Sequence, residues 1–168
     1  MTLGMSIETF TIVHAVLSLV GIGSGVVVLV GLMAGKGLPR WTAAFLAATV
    51  LTSATGFGFP FDHLLPSHIV GAVSLVVLAV AILARYPFRL RGAWRRTYVI
   101  CATVAVYLDT FVGVVQAFLN VPTLKALAPK QTEPPFVVAQ ALVLVSFVVL
   151  GSLATARFRG EQAHTPGA

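Results

Sequence analysis

Val106-Tyr107-Leu108-Asp109-Thr110-Phe111-Val112-Gly113-Val114-Val115-Gln116-Ala117-Phe118-Leu119-Asn120 decides how the chain must be read. With its apolar flank it is long enough to cross a bilayer, which takes about 20 residues, yet a carboxylate stands at its middle. At helical spacing Asp109, Gly113, Gln116 and Asn120 recur at i, i+4, i+7 and i+11, which is one face. An ionisable group inside a membrane span is costly, so it faces a bundle interior, finds a partner or marks a pathway. Any account of function has to explain Asp109.

The whole composition agrees with a membrane setting. The 168 residues are 58% hydrophobic and 10% charged, against about 25% charged in soluble domains. The net charge of +6 lies in short loops between apolar runs, so it reads as membrane orientation and not as a nucleic-acid surface. The single cysteine, Cys101, falls within an apolar run and excludes an intrachain disulfide or a CxxC redox motif. The first apolar segment lacks a basic leader and is too long for a signal-peptide core, which makes it a retained span.

The expected fold is an all-α membrane protein: a five-transmembrane-helix bundle in one domain, 1–158, followed by a disordered polar tail, 159–168. The spans are expected at 10–33, 41–59, 67–83, 97–119 and 136–156. Lys36, Arg40, Arg85, Arg89, Arg91, Arg95, Arg96, Arg157 and Arg159 fall at one end of these spans, and only Lys125 and Lys130 at the other. The positive-inside rule then puts the N-terminus outside and the C-terminus in the cytoplasm. Trp41, Tyr86, Trp94 and Tyr98 are expected in the headgroup zone at the basic end. Pro122, Leu124 and Leu127 predict a short surface helix in the longest outer loop. The Gly21/Gly25 and Gly31/Gly35 pairs are expected to be helix-packing devices. A weak internal repeat is visible as well. His14 precedes Trp41 much as His68 precedes Trp94, and Ala48-Thr49-Val50 has a counterpart in Ala102-Thr103-Val104.

The topology places polar side chains from four helices in one outer layer: His14, His68, Gln116 and Gln140, with Asp109 about two turns deeper. The expectation is an outward-opening polar pocket floored by Asp109 and rimmed by Asp62, His63 and Glu133. Each member has an ordinary structural alternative, as an interhelical hydrogen bond or an interfacial residue. No Walker loop, GxSxG, HExxH or dinucleotide turn occurs, so hydrolytic chemistry has no support.

One segment carries a resemblance. Gln116-Ala117-Phe118, Val121-Pro122, Leu124, Ala126-Leu127-Ala128-Pro129, Gln131 and Glu133-Pro134-Pro135-Phe136 resemble a pattern in small bacterial multi-span membrane proteins of unknown function. The first four spans are also loosely similar to a broader family of bacterial membrane proteins with histidines at outer helix ends. In that family further histidines are expected where Arg40-Trp41 and Thr97-Tyr98 stand here. The resemblance implies a bacterial cytoplasmic (inner) membrane and no particular activity.

Several functions compete on the sequence alone. One is binding of a small ligand or cofactor: haem iron between His14 and His68, or a quinone head group on His14 and Gln116 with Asp109 as proton acceptor. Another is a proton-coupled transporter or channel in which Asp109 titrates. A third is a structural or accessory subunit, in a homodimer or larger membrane complex, whose polar layer only orders helix packing. A metal site on His14, His63 and His68 is the remaining candidate.

Overall fold

In a computed structural model the described residues, 6–59 and 66–159, are helical throughout apart from turns and loops. The elements are α1 (Ile7–Met33), α2 (Pro39–Gly56), α3 (Pro66–Arg85), α4 (Ala93–Asn120), a short α5 (Pro122–Leu127) and α6 (Pro134–Arg157). Four of them, α1, α3, α4 and α6, are long and apolar enough to cross a membrane. The 18-residue α2 is not among these four. Its shortfall has a visible cause. Thr42, Thr49, Thr52 and Ser53 lower its apolar content, and all four are buried against the other helices.

Local chemistry sets the ends. Ser6 caps α1, its hydroxyl accepting from the Thr9 amide at 3.2 Å, and Glu8 in the first turn complements the helix dipole. Pro39 and Pro134 sit in the first turns of α2 and α6, where a missing N–H costs nothing. The second helix ends three residues before the expected 59. Phe57 and Gly58 bond back by tight turns to Ala54 and Thr55. Phe59 then folds edge-on against Phe10 and His14, with ring centroids 4.9 and 5.2 Å away. The short helix expected at Pro122 is present as α5.

Helices α1 to α4 form a ring in which α1 packs on α2, α2 on α3, α3 on α4, and α4 back on α1. The α6 helix lies outside this ring, against α4 and α1. The interior is built at helical periodicity from Gly21, Ser24, Gly25, Val28, Leu29 and Leu32 on α1, and from Ala102, Val106 and Asp109 on α4. The outward faces are apolar as well: Leu142, Val145 and Val148 of α6 are exposed. Contiguous apolar surface of this kind is what a lipid solvent would cover.

Two sequence expectations need correction. Tyr98 is not an interfacial anchor. Its ring is fully buried, with its hydroxyl 3.3 Å from Thr42 Oγ1 and the Arg85 guanidinium over its face at 5.6 Å. Thr42 uses its own proton on Gly37 O, at 3.0 Å, so the Tyr98 hydroxyl is the donor in that pair. Trp41 and Tyr86, by contrast, are half exposed at the same end. The Gly31/Gly35 pair is also not a helix-packing seam. Gly31 leaves room for the Leu38 side chain of the following loop, and Gly35 terminates α1 at φ +74°.

Gly21 and Gly25 do act in helix packing. A Cβ on Gly25 would lie 2.5 Å from Val106 Cγ2 and 3.0 Å from Phe45 Cδ2, inside the contact limits of both neighbours. Gly25→Ala should therefore push α1 away from α2 and α4 and destabilise the bundle by about 1–3 kcal/mol. Gly23, two residues away, faces open space. Gly23→Ala is expected to leave thermal unfolding in detergent unchanged or slightly raised. Equal losses in the two variants would show that the seam is misassigned.

Candidate polar site inside the bundle

Asp109 faces inward from the middle of α4 and is nine-tenths buried. Gly21 makes its place: a Cβ there would lie 3.1 Å from Asp109 Oδ2 and 3.0 Å from Thr49 Oγ1. The absence of a side chain at Gly21 thus lets a carboxyl from α4 and a hydroxyl from α2 meet over the backbone of α1. Thr49 is the hydroxyl nearest the acid, but the pair is not closed into a hydrogen bond. Asp109 Oδ2, Thr49 Oγ1 and Thr52 Oγ1 are all buried without a hydrogen-bond partner among the described residues. Buried polar atoms are nearly always satisfied, so three such oxygens on adjoining faces call for an explanation.

A line of hydroxyls leads outward from this point. Thr49, Thr52 and Thr55 follow at three-residue steps along α2, rising about 4.5 Å each. At the outer end Thr55 Oγ1 lies 2.9 Å from His14 Nδ1. The same hydroxyl donates to Leu51 O at 2.7 Å. With that proton committed, Thr55 accepts from His14 Nδ1–H, which leaves Nε2 as the acceptor nitrogen of a neutral ring. The 54-residue offset that relates His14 to His68 also relates Thr55 to Asp109. The carboxyl thus occupies in the second hairpin the register that a hydroxyl occupies in the first.

The expected pocket is only partly assembled. Asp109 and His14 join through the threonine line. His68 is buried at the start of α3, its ring tilted against Phe57 at 5.6 Å. The two histidines are therefore packed against different phenylalanines. Gln116 does not join the cluster. It is exposed and accepts from Asn120 Nδ2 at 3.1 Å along its own helix. The face that is buried at Asp109 and packed on Ile22 at Gly113 is uncovered one turn further out. Gln140 lies on the other side of α4, where its Nε2 donates to Phe111 O at 3.2 Å and ties α6 to the outside of the ring.

Glu133, expected on the rim, folds onto its own loop, accepting from the Lys130 and Thr132 amides at 3.2 and 3.0 Å. Slight desolvation opposes ionisation there, but these backbone bonds and the nearby Lys130 prevail and hold its carboxyl below the usual range. Its support of the loop is thus present above the ordinary carboxylate range and lost as pH falls through its own lower value. Asp62 and His63 lie outside the described residues, and with them part of the proposed His14, His63 and His68 metal set. Among the described residues no three His, Cys, Asp or Glu side chains gather as metal ligands.

Thr49, Thr52 and Thr55 are inconspicuous beside the acids, amides and histidines of the sequence. The available signal was the recurrence of hydroxyls at Thr42, Thr49, Thr52 and Thr55 in an otherwise apolar segment. Their different bonding gives opposite expectations. Thr55→Val removes the partner of His14 Nδ1 and should lower stability by about 1 kcal/mol. Thr49→Val removes a hydroxyl that faces Asp109 without closing a well-formed hydrogen bond and should cost less, within about 0.5 kcal/mol of the parent. Thermal unfolding of the two variants in one detergent checks the contrast, and a reversed order would contradict the geometry.

No protein-family model matches the chain, nor does any curated protein or any solved structure.

Proposed function

We propose that the chain is an integral protein of the bacterial inner membrane, with five spans, an outer N-terminus and a cytoplasmic C-terminus. In this reading Asp109 exchanges a proton with the outer side. The observation that carries it is the set of three buried, unpartnered oxygens, Asp109 Oδ2, Thr49 Oγ1 and Thr52 Oγ1, at the inner end of a hydroxyl line that begins at His14.

The physical argument concerns charge and room. A carboxylate inside a low-dielectric bundle costs several kcal/mol unless a cation or a proton compensates it. Among the described residues no Lys, Arg or His is bonded to Asp109. The helices packed around it carry Glu8 and His14 on α1, and His68 on α3, toward the outer end, while Arg40 of α2, Arg85 of α3 and Arg157 of α6 lie at the far end. A proton is the compensation that this oxygen-only cluster accommodates. A Cβ at Gly21 would already crowd Thr49 Oγ1 and Asp109 Oδ2 at 3.0 and 3.1 Å, so the cluster suits a proton better than a quinone ring or a haem. Threonine hydroxyls both accept and donate, which lets them relay a proton when water completes the steps.

Closure is clearest toward the basic end. Beyond Asp109 toward the basic end the interior is closed by Val28, Phe45, Leu78, Ala102 and Val106. The arrangement supports an outward-facing protonation site above a dry plug, which makes a proton-coupled carrier the better reading than an open pore. Movement of a proton to the other side would require this layer to separate.

Topology is tested by labelling. In a chain carrying Cys101→Ser, a cysteine at Thr132→Cys should react with an impermeant maleimide from outside intact cells. One at Arg91→Cys should react only after lysis. The reverse pattern would dismiss the orientation, and a cysteine at Ser6→Cys that reacts only after lysis while Thr132→Cys reacts from outside would show that α2 does not cross.

The site is tested by infrared spectroscopy of the full chain in liposomes. The carboxyl C=O band of Asp109 should respond to external pH and vanish in Asp109→Asn, and Thr52→Val should slow its deuterium exchange. If no band responds to external pH and Asp109→Asn changes only thermal stability, the carboxyl is a packing residue.

A further inference from the structure

On the outside of the four-helix ring, α4 and α6 leave a groove of about 750 Å³ along their seam. Its walls are apolar, with Ile100, Val104, Leu144, Phe147 and Val148 prominent. Three of its hydroxyls are engaged within their own helices, Thr103 donating to Val99 O, Ser152 to Val148 O and Thr155 to Gly151 O, and Tyr107 contributes a fourth. Its charge is concentrated at one end, in Arg96. A second cavity, of about 500 Å³, continues from Arg96 and Ile100 past Arg95 and Thr97. Together they form one amphipathic trough, basic at the loop end and dry along the helices.

Charge and length identify the occupant. Arg96 is exposed and has no hydrogen bond or ion pair among the described residues. Arg95 gives one N–H to Arg159 O at 2.8 Å and keeps a buried Nε without a partner. No Asp or Glu is present among the described residues at this end of the bundle. From Arg96 to Leu108 the trough runs about 18 Å along α4, close to the roughly 15 Å of one hydrocarbon leaflet.

We infer that this trough binds an anionic glycerophospholipid, with its phosphodiester on Arg96 and Arg95 and an acyl chain between α4 and α6. The guanidinium fork supplies paired donors to phosphate oxygens, and the apolar seam takes a chain of one leaflet's length. The inference rests on membrane embedding and is independent of proton exchange at Asp109.

Native mass spectrometry of the full chain, released from detergent after incubation with phosphatidylglycerol or phosphatidylcholine, tests it. Phosphatidylglycerol should remain bound in preference to phosphatidylcholine. Arg96→Gln should weaken its retention about tenfold, the loss expected for one charge-assisted contact. Val148→Trp, which fills the trough and leaves the charges alone, should weaken it comparably. Arg91→Gln, at the same end and outside the trough, should retain it fully. Thermal unfolding of each variant verifies the fold, and Val104→Phe replaces Val148→Trp if the latter does not fold. Equal loss in Arg91→Gln and Arg96→Gln would mean diffuse surface attraction and overturn the site. Equal retention of both lipids, insensitivity to Val148→Trp and Val104→Phe, or a dimer that occupies the seam would each overturn it as well.

Discussion

The close approach of α1 to α2 and α4 at Gly21 and Gly25 is the constraint on which the rest of the structure depends. Without a hydrophobic effect between helices in lipid, association relies on van der Waals contact and interhelical hydrogen bonds, and small residues allow both. Gly25 admits Val106 and Phe45 to the backbone of α1. Four residues earlier, Gly21 admits Thr49 and Asp109. One stripe of missing side chains therefore produces two environments: a dry contact toward the basic end and a polar cluster above it. Any larger residue at either glycine would separate the elements that define the candidate site.

The bundle buries a polar minority within an apolar core and turns an apolar surface outward. Ser24, Thr49, Thr52, Ser53, Ser74 and Asp109 are buried, while valines and leucines of α6 face outward. Serine and threonine are inexpensive inside such a bundle when their hydroxyls bond to the carbonyl one turn earlier, as Thr103 and Thr110 do. Thr49 and Thr52 depart from that habit, since neither hydroxyl has a partner. It is this departure, and not the mere presence of threonine, that separates the Asp109 cluster from ordinary helix-packing hydroxyls.

The two ends of the bundle are stabilised differently. At the basic end Thr42, Tyr98, Arg85 and Gly37 form a buried polar lock between α2, α3 and α4. At the other end the chain leaving α2 lays Phe59 against Phe10 and His14, and Phe57 against His68. The basic end is thus closed by directional hydrogen bonds and a cation–π contact, whereas aromatic edges cover the histidine end.

The sequence by itself determined the helices and the sorting of charge between their ends. Both follow from local properties: apolar run length, proline and glycine at the boundaries, and lysine and arginine counts in loops. It also grouped Asp109 with His14, His68, Gln116 and Gln140 as a polar layer, because an acid, amide or histidine in an apolar run is conspicuous wherever the run packs. Tertiary structure alone decided which faces meet. Gln116 and Asp109 share a helical face, yet only Asp109 is covered, because α1 packs on α4 at Gly113 and not beyond. Gln140 shares the outer layer but lies outside the ring, since Phe111 and Asp109 point to different sides of α4. Thr49 looks unremarkable in sequence and becomes a site residue only because Gly21 lets it reach the carboxyl. Periodicity states which residues share a side of one helix; the partner of that side is a property of the packed bundle.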